Sequence, residues 1–410
     1  MIPMPLDEVR ALVPGRLETA PRADEVTGLQ IDSRRVVRGD LFVAVGGGAD
    51  FAGDALARGA AAALVPDEPF SALAALAGRI RAASPARFVA ITGSMGKTST
   101  KDILAAVCAP QLRTVAAERS YNAELGVPLT IGRVEPDTEL CILELAMRGF
   151  GQIAELCAFA RPHVGVITNV GPVHLEKVGD LTGVVRAKSE LLDALPSGGT
   201  AVVPADFPVS RSDLEVVRVG ADVRLESFDP PVLATSLGVV EVDFTARHLA
   251  ANAVTALATA HALALRIPDR LQVTFCEWRN QELPMPGGGV LVNDAWNANP
   301  VSMRAALEHL VTLAAGRRTV AVLGDMAELG AYSDEGHREV GRAVLELGID
   351  EVVAIGPQAR AYGGRWAPTL EEGLTVLDGL LEPGDCVLVK GARAMGLERV
   401  AEALTAVPAA

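Results

Sequence analysis

The segment 88–99, Phe-Val-Ala-Ile-Thr-Gly-Ser-Met-Gly-Lys-Thr-Ser, constrains this chain more than any other. Four apolar residues run into a glycine turn, and Lys97-Thr98 opens a stretch with helical periodicity over 98–109. A buried strand feeding a glycine turn and a helix start is a geometry suited to phosphate. Gly93 and Gly96 let the backbone, with Ser94 and Met95 between them, close around phosphate oxygens, and the helix N-terminus adds partial positive charge. Lys97 can reach the β- and γ-phosphates, the Thr98 hydroxyl is placed for Mg²⁺, and Ser99 completes the loop. The strict eight-residue pattern fails at its first position, which is Ile91 instead of glycine. The bland alternative is an ordinary strand-to-helix turn that contains Gly-Lys-Thr.

The rest of the chain alternates in the same manner. Strand-like runs at 28–31, 40–45 and 61–65 are interleaved with helix-like runs at 52–59 and 71–83, and Ser84-Pro85 breaks the pattern. Strand-like runs recur at 140–143, 164–168, 319–323, 351–355 and 386–389, with helices at 181–195 and 248–265. The Pro/Gly-rich segment 283–289 separates off the last third and is the candidate hinge. The pattern predicts an α/β protein of three domains with parallel sheets, at 1–84, 85–284 and 285–410. A length of 410 residues accommodates that number of cores.

Charge and composition narrow the partners. A formal charge of −14 argues against nucleic acid, which needs a basic footprint. An anionic nucleotide can still bind where amides, a lysine or metal ions reverse the local field. The first eight residues hold two prolines and two acids, unlike a secretory leader. The longest apolar stretch, 248–265, contains His248, Asn252 and His261 and reads as a buried helix. A cytoplasmic location without membrane insertion is expected. Five scattered cysteines without a CxxC pair predict reduced thiols, with neither a disulfide scaffold nor a zinc site.

A phosphate loop alone leaves kinase, GTPase, helicase and ligase open, so other residues must decide. Glu144 ends the apolar run 140–143, where an α/β sheet places a metal ligand, although an acid there can simply be solvated. The run 164–168 leads through Asn169 to His174, and Lys188-Ser189-Glu190 lies in a helical pattern; alone, such a histidine is more often structural and such a lysine a solvated stem.

Together, 93–98, Asn122-Ala123-Glu124-Leu125-Gly126-Val127-Pro128, Glu144, Thr168-Asn169 with His174, and Lys188 followed by Glu190 resemble the Mur ligase family in kind, order and spacing. The resemblance implies a small N-terminal UDP-binding domain, a central ATPase domain and a Rossmann-like C-terminal domain. It further implies that Thr98 and Glu144 hold one Mg²⁺. His174 and Lys188 would serve a second, Lys188 being carbamylated. Lys97, Glu144, His174 and Lys188 are thereby implied as catalytic, and Asn252, in Arg247-His248-Leu249-Ala250-Ala251-Asn252, as an adenine contact in preference to His248.

The last third resembles the branch of that family that adds D-alanyl-D-alanine. The residues are Asn293-Asp294-Ala295-Trp296-Asn297-Ala298-Asn299-Pro300, Gly324-Asp325-Met326-Ala327-Glu328 with His337, and Lys390-Gly391-Ala392-Arg393. The Asn-Pro-Arg signature of the diaminopimelate-adding relative is absent, because Val301 follows Pro300. The implied substrates are UDP-N-acetylmuramoyl-tripeptide, ATP and D-Ala-D-Ala. Asp294 is assigned to the nucleotide, and Asn122, Asn297, Asn299 and Asp325 to the other substrates. By the same resemblance Ser33 and Arg34 contact uridine, and Arg279 is the nearest candidate for an arginine on the γ-phosphate. Residue by residue, Asp294 and Asp325 also read as strand-end caps, and Lys390 and Arg393 as a solvated basic turn. A monomer is expected. The rivals are a folylpolyglutamate synthetase, a P-loop kinase and a non-catalytic nucleotide-binding module.

Overall fold

The computed structural model describes residues 1–173 and 175–405. At its centre lies a six-stranded sheet, wholly parallel, in the order Glu215–Val219, Thr200–Pro204, Val164–Ile167, Arg87–Thr92, Leu140–Glu144, Thr114–Ala116. Its middle strands are apolar on both faces because helices cover both. Val89 and Ile91 join one core cluster, which includes residues of the helices Lys97–Cys108 and Arg247–Ala262. Phe88 and Ala90 join another, with residues of Pro69–Ala83, Gln152–Ala160 and Leu181–Asp193.

That second cluster continues into the N-terminal block, through Val9, Leu41, Val43 and Leu64. The block has its own four-stranded sheet, ordered Gly15–Thr19, Ala62–Pro66, Asp40–Val43, Gly28–Gln30, with its first pair antiparallel. The break at Ser84-Pro85 is therefore a corner beside a continuous core, and Ala86 just after it is buried.

The C-terminal block is a second six-stranded sheet, ordered Gln281–Pro284, Val290–Asp294, Cys386–Lys390, Thr319–Gly324, Glu351–Ile355, Arg365–Ala367. Helices Pro300–Ala314 and Ser333–Leu347 cover one face, while Leu370–Asp378 and Glu398–Thr405 cover the other.

Two expectations are corrected. The Pro/Gly-rich segment is no hinge between domains: Gln281–Pro284 pairs antiparallel with Val290–Asp294, so 285–289 is a hairpin turn and a boundary at 284/285 cuts through one sheet. Gly287 and Gly288, at φ of 81° and 86°, supply the left-handed backbone the turn requires. Nor are the sheets parallel throughout. Leu225–Asp229, Val232–Thr235 and Gly238–Val242 form an antiparallel meander that lays Phe228, Leu233 and Val240 into the core beside Arg247–Ala262. All five cysteines are free. No described helix is long and apolar enough to cross a membrane.

Candidate active site

The phosphate loop leaves the strand Arg87–Thr92 in the middle of the central sheet, and the strands on either side end in Glu144 and in Thr168-Asn169. Loops after neighbouring parallel strands thus converge at the carboxyl edge, where such sheets bind ligands. Gly93 has φ 151° and Gly96 φ 75°. A β-carbon at Gly93 would lie 1.9 Å from Thr168 Oγ1, and one at Gly96 2.3 Å from Asn252 Oδ1. Both positions need glycine for backbone angle and for space.

Polar contacts pin the loop. The Met95 amide donates to Asn169 Oδ1 at 2.9 Å, Thr168 Oγ1 donates to the Met95 carbonyl at 2.6 Å, and the Gly171 amide donates to Ser94 Oγ at 2.8 Å. Lys97 Nζ folds back onto the Gly93 carbonyl at 2.8 Å. Burial, together with the nearby Arg279 charge, pulls its pKa below the usual lysine value, against the opposing pull of Glu144.

Thr98 and Glu144, 2% and 1% exposed, meet at the base of the loop, and the Thr98 hydroxyl donates to Glu144 Oε2 at 2.8 Å. The other carboxylate oxygen accepts from Asn122 Nδ2 at 2.7 Å. Lys188 is buried (1% exposed) on the helix Leu181–Asp193. Burial first, and then the charge of Lys97, push its pKa well below the ordinary value. His174 lies outside the described residues.

A cavity of about 630 Å³ opens above these groups and extends over the C-terminal block. Ser94 to Ser99, Asn122, Glu144, Asn252, Asp294, Asn297 and Asn299 line it. So do residues the motif reading ranked lower or missed: Ser120, His248, Arg279, Trp296, Lys390 and Arg393. Arg279 donates to Ser120 Oγ at 2.8 Å, and that hydroxyl lies 3.3 Å from Thr98 Oγ1. His248 joins Asn252 on the wall, and burial lowers its pKa to about 4, keeping the ring neutral. Buried Arg279 Nε and Asn280 Oδ1 have no hydrogen-bond partner among the described residues. Polar groups in that state at a cavity wall favour a polar ligand.

Several expected contacts have other occupations. Asp325 is not on the cavity: its carboxylate accepts from the amides of Gln358 and Ala359, at 3.0 and 2.6 Å, and caps the turn Ala359–Tyr362. Asn299 lines the cavity but is the N-cap of Pro300–Ala314 in a reciprocal capping box with Ser302. Asn297 Oδ1 accepts from the Ala298 amide at 2.9 Å. Asp294 pairs with buried Lys390, whose ammonium also donates to the Asn297 carbonyl at 2.9 Å. Ser33 and Arg34 stand apart from the cavity; Ser33 is buried, and Arg34 forks onto Asp32 at 2.9 and 2.8 Å. A neighbour missed entirely, Arg35, reaches Tyr121 and Glu118 at 3.2 Å each and ties the N-terminal block to the loop that carries Ser120 and Asn122.

Comparison with known proteins decides the lineage. Residues 91–260 match the Mur ligase middle domain and residues 278–393 the Mur ligase, glutamate ligase domain. This chain belongs to the Mur ligase family. The UDP-N-acetylmuramoyl-tripeptide--D-alanyl-D-alanine ligase of Mycobacterium bovis is 32% identical, the alignment covering 99% of this chain and 98% of that protein. Among solved Mur ligases, MurF from Acinetobacter baumannii superposes with a TM-score of 0.83 at 26% identity, covering 98% of this chain and 99% of the other. MurF from Thermotoga maritima in complex with ADP gives 0.79 at 26% identity, over 93% and 97%. In a Mur ligase of this shape, the cavity over the phosphate loop is the expected place for chemistry.

Proposed function

We propose that this chain is an ATP-dependent, ADP-forming ligase that joins D-alanyl-D-alanine to UDP-N-acetylmuramoyl-tripeptide through an amide bond. The observation that carries the reading is one cavity shared between a phosphate loop and the strand-end loops of a second sheet, in a chain aligned from end to end with a ligase of that activity.

A carboxylate is a poor electrophile, so the terminal carboxylate of the tripeptide first attacks the γ-phosphate of ATP in line, giving an acyl phosphate and ADP. The amine of the dipeptide then adds to the acyl carbon, and the tetrahedral intermediate expels phosphate. Alignment and charge neutralisation carry most of the acceleration, because no nucleophilic side chain is required. The loop amides and Lys97 hold the β- and γ-phosphates, Arg279 lies beside them through Ser120, and Asn252 and His248 form the wall for the base. Ser33 and Arg34 would hold the uridine end. Closure of the C-terminal block over the cavity excludes water that would otherwise hydrolyse the acyl phosphate.

The residues fit Mg²⁺. Thr98 and Glu144 present a buried hydroxyl and carboxylate to one point, a hard-oxygen pair that leaves other positions for phosphate and water. No described group of three His, Cys, Asp or Glu forms a self-sufficient metal site, as expected where the substrate supplies ligands. Thr98 and Glu144 would hold one ion, and His174 with a carbamylated Lys188 would serve a second. When bound, the ions supply positive charge against ATP and the substrate carboxylate. Lys188 suits carbamylation because burial favours its neutral, nucleophilic amine. Such an enzyme acts on cytoplasmic nucleotides, and we place it there as a monomer.

The test is incubation with ATP, Mg²⁺, UDP-N-acetylmuramoyl-tripeptide and D-alanyl-D-alanine, with mass analysis of the product. A conjugate carrying both reactants less one water is expected, with ADP released in step. ATP consumption that never yields the conjugate sinks the reading.

A further inference from the structure

The cavity continues past the phosphate loop, over the carboxyl ends of three adjacent strands of the second sheet: Val290–Asp294, Cys386–Lys390 and Thr319–Gly324. The segments leaving those strands are chemically unlike the phosphate end. Val301 and Ala305 come from the first turns of Pro300–Ala314, Ala327 from the loop after Thr319–Gly324, and Ala392 from the loop after Cys386–Lys390. All four present only aliphatic carbon to the cavity, and Val301 is left 46% exposed there. One cation, Arg393, adjoins this wall. Its guanidinium lies 4.4 Å over the Trp278 ring and 5.6 Å over Trp296, the two indoles being stacked with centroids 5.8 Å apart. Its Nη1 donates to Glu398 Oε1 at 2.7 Å. Stacking and this bond restrain the plane of the fork, and a guanidinium has five N–H donors, enough to serve a second carboxylate.

The same indole connects this end to the reaction. Arg279, which reaches Ser120 beside Thr98, also lies 5.6 Å over Trp296. The two arginines therefore divide the cavity around one ring, one serving the phosphate end and the other the aliphatic end. An amine substrate that carries its own carboxylate must keep that charge away from the acyl phosphate while its amine reaches the acyl carbon. A cation beside a methyl-sized wall provides that orientation.

We propose that this wall is the subsite of the amine substrate: Val301, Ala305, Ala327 and Ala392 receive the side chains of a short dipeptide no bulkier than methyl, and Arg393 binds its terminal carboxylate. The assignment rests on the ligase function proposed for the whole chain. The wall sets the size limit, Arg393 sets the requirement for a free carboxylate, and the amine faces the phosphate loop.

Steady-state kinetics on the intact enzyme test it. Arg393→Gln raises KM for D-alanyl-D-alanine on the order of 10²-fold, the loss expected for a charge-assisted fork, while KM for ATP moves by less than about threefold. The wild type disfavours D-alanyl-D-alaninamide by a similar factor, and Arg393→Gln accepts acid and amide about equally. A variant that keeps the acid-over-amide preference overturns the role of Arg393. Ala305→Leu, which leaves the indole stack untouched, raises KM for D-alanyl-D-alanine roughly tenfold more than for glycylglycine. An equal effect on both dipeptides overturns the wall. A wild-type enzyme that forms no conjugate with any of these amines brings down the ligase reading itself, and the subsite with it.

Discussion

The two six-stranded sheets present the same kind of edge to one cavity, yet their charges are managed in opposite ways. Along the central sheet, Lys97 and Lys188 are sheltered cations with lowered pKa values, and Arg279 and Asn280, just ahead of the second sheet, keep buried polar atoms without partners. Along the C-terminal sheet every charge is answered from within: Asp294 by Lys390, Asp325 by two backbone amides, Arg393 by Glu398. The first edge is completed only by a polyanionic ligand, so its groups act on the reacting phosphate. The second is already neutral, so it contributes shape and orientation. Identical topology thus yields a reactive rim and a selective rim.

The contrast is broken most directly at Lys97. Lys97→Ala lowers kcat on the order of 10²-fold or more, read as phosphate release, because it removes a preorganised donor from the developing charge; near-normal turnover would remove the distinction between the rims. Lys188→Ala comes next, with a loss of about tenfold or more, partly rescued by added formate or acetate if a carbamate oxygen is the missing group. A lysine that served only as packing would show no such rescue.

On the other rim the sign changes from rate to stability. Asp325→Ala lowers the unfolding free energy by about 1–2 kcal/mol, as loss of a cap does, and leaves kcat/KM within roughly twofold. A tenfold fall in kcat/KM without loss of stability would return Asp325 to the substrate.

The smallest effect belongs to His248, where the rims meet. Its pKa falls from 6.5 to about 4, from burial and then from the charges of His309 and Lys390, with Asp294 opposing. Between those values the unfolded chain binds more protons than the folded one, so stability is full above pH 6.5 and declines as pH drops toward 4. With partial exposure discounted, the decline amounts to about 1–2 kcal/mol. The difference between wild type and His248→Gln in denaturant midpoint, tracked across that window, isolates this residue from the acids that titrate alongside it. No pH-dependent difference would mean that the ring is solvated.

The phosphate loop was legible because its chemistry is contiguous. Strand, glycine turn and helix start lie within 88–99, and no distant residue is needed to recognise them. The alternation of strands and helices was readable for the same reason, and the helix predicted over 71–83 forms as Pro69–Ala83. The hairpin at 285–289 was misread as a hinge because proline and glycine satisfy the same backbone angles in a turn within a sheet as in a linker between sheets. The antiparallel meander after 225 was missed because its short strands carry exposed, mixed surfaces.

Among the site residues the division is equally physical. Thr98 and Glu144 are 46 positions apart and touch because their strands are neighbours, a fact the motif order suggested and the sheet register realised. Asn299 and Asp325 were indistinguishable from ligands in one dimension, since a carboxamide or carboxylate at a strand end can meet a substrate or an amide of its own chain. By itself the amino-acid order determined local conformation, the phosphate cradle and the family, all set by near neighbours. Only the tertiary structure decided which charges are already neutralised, which indole two arginines share, and where the cavity ends. Those are properties of burial and of distances between segments far apart in the chain, which no local pattern encodes.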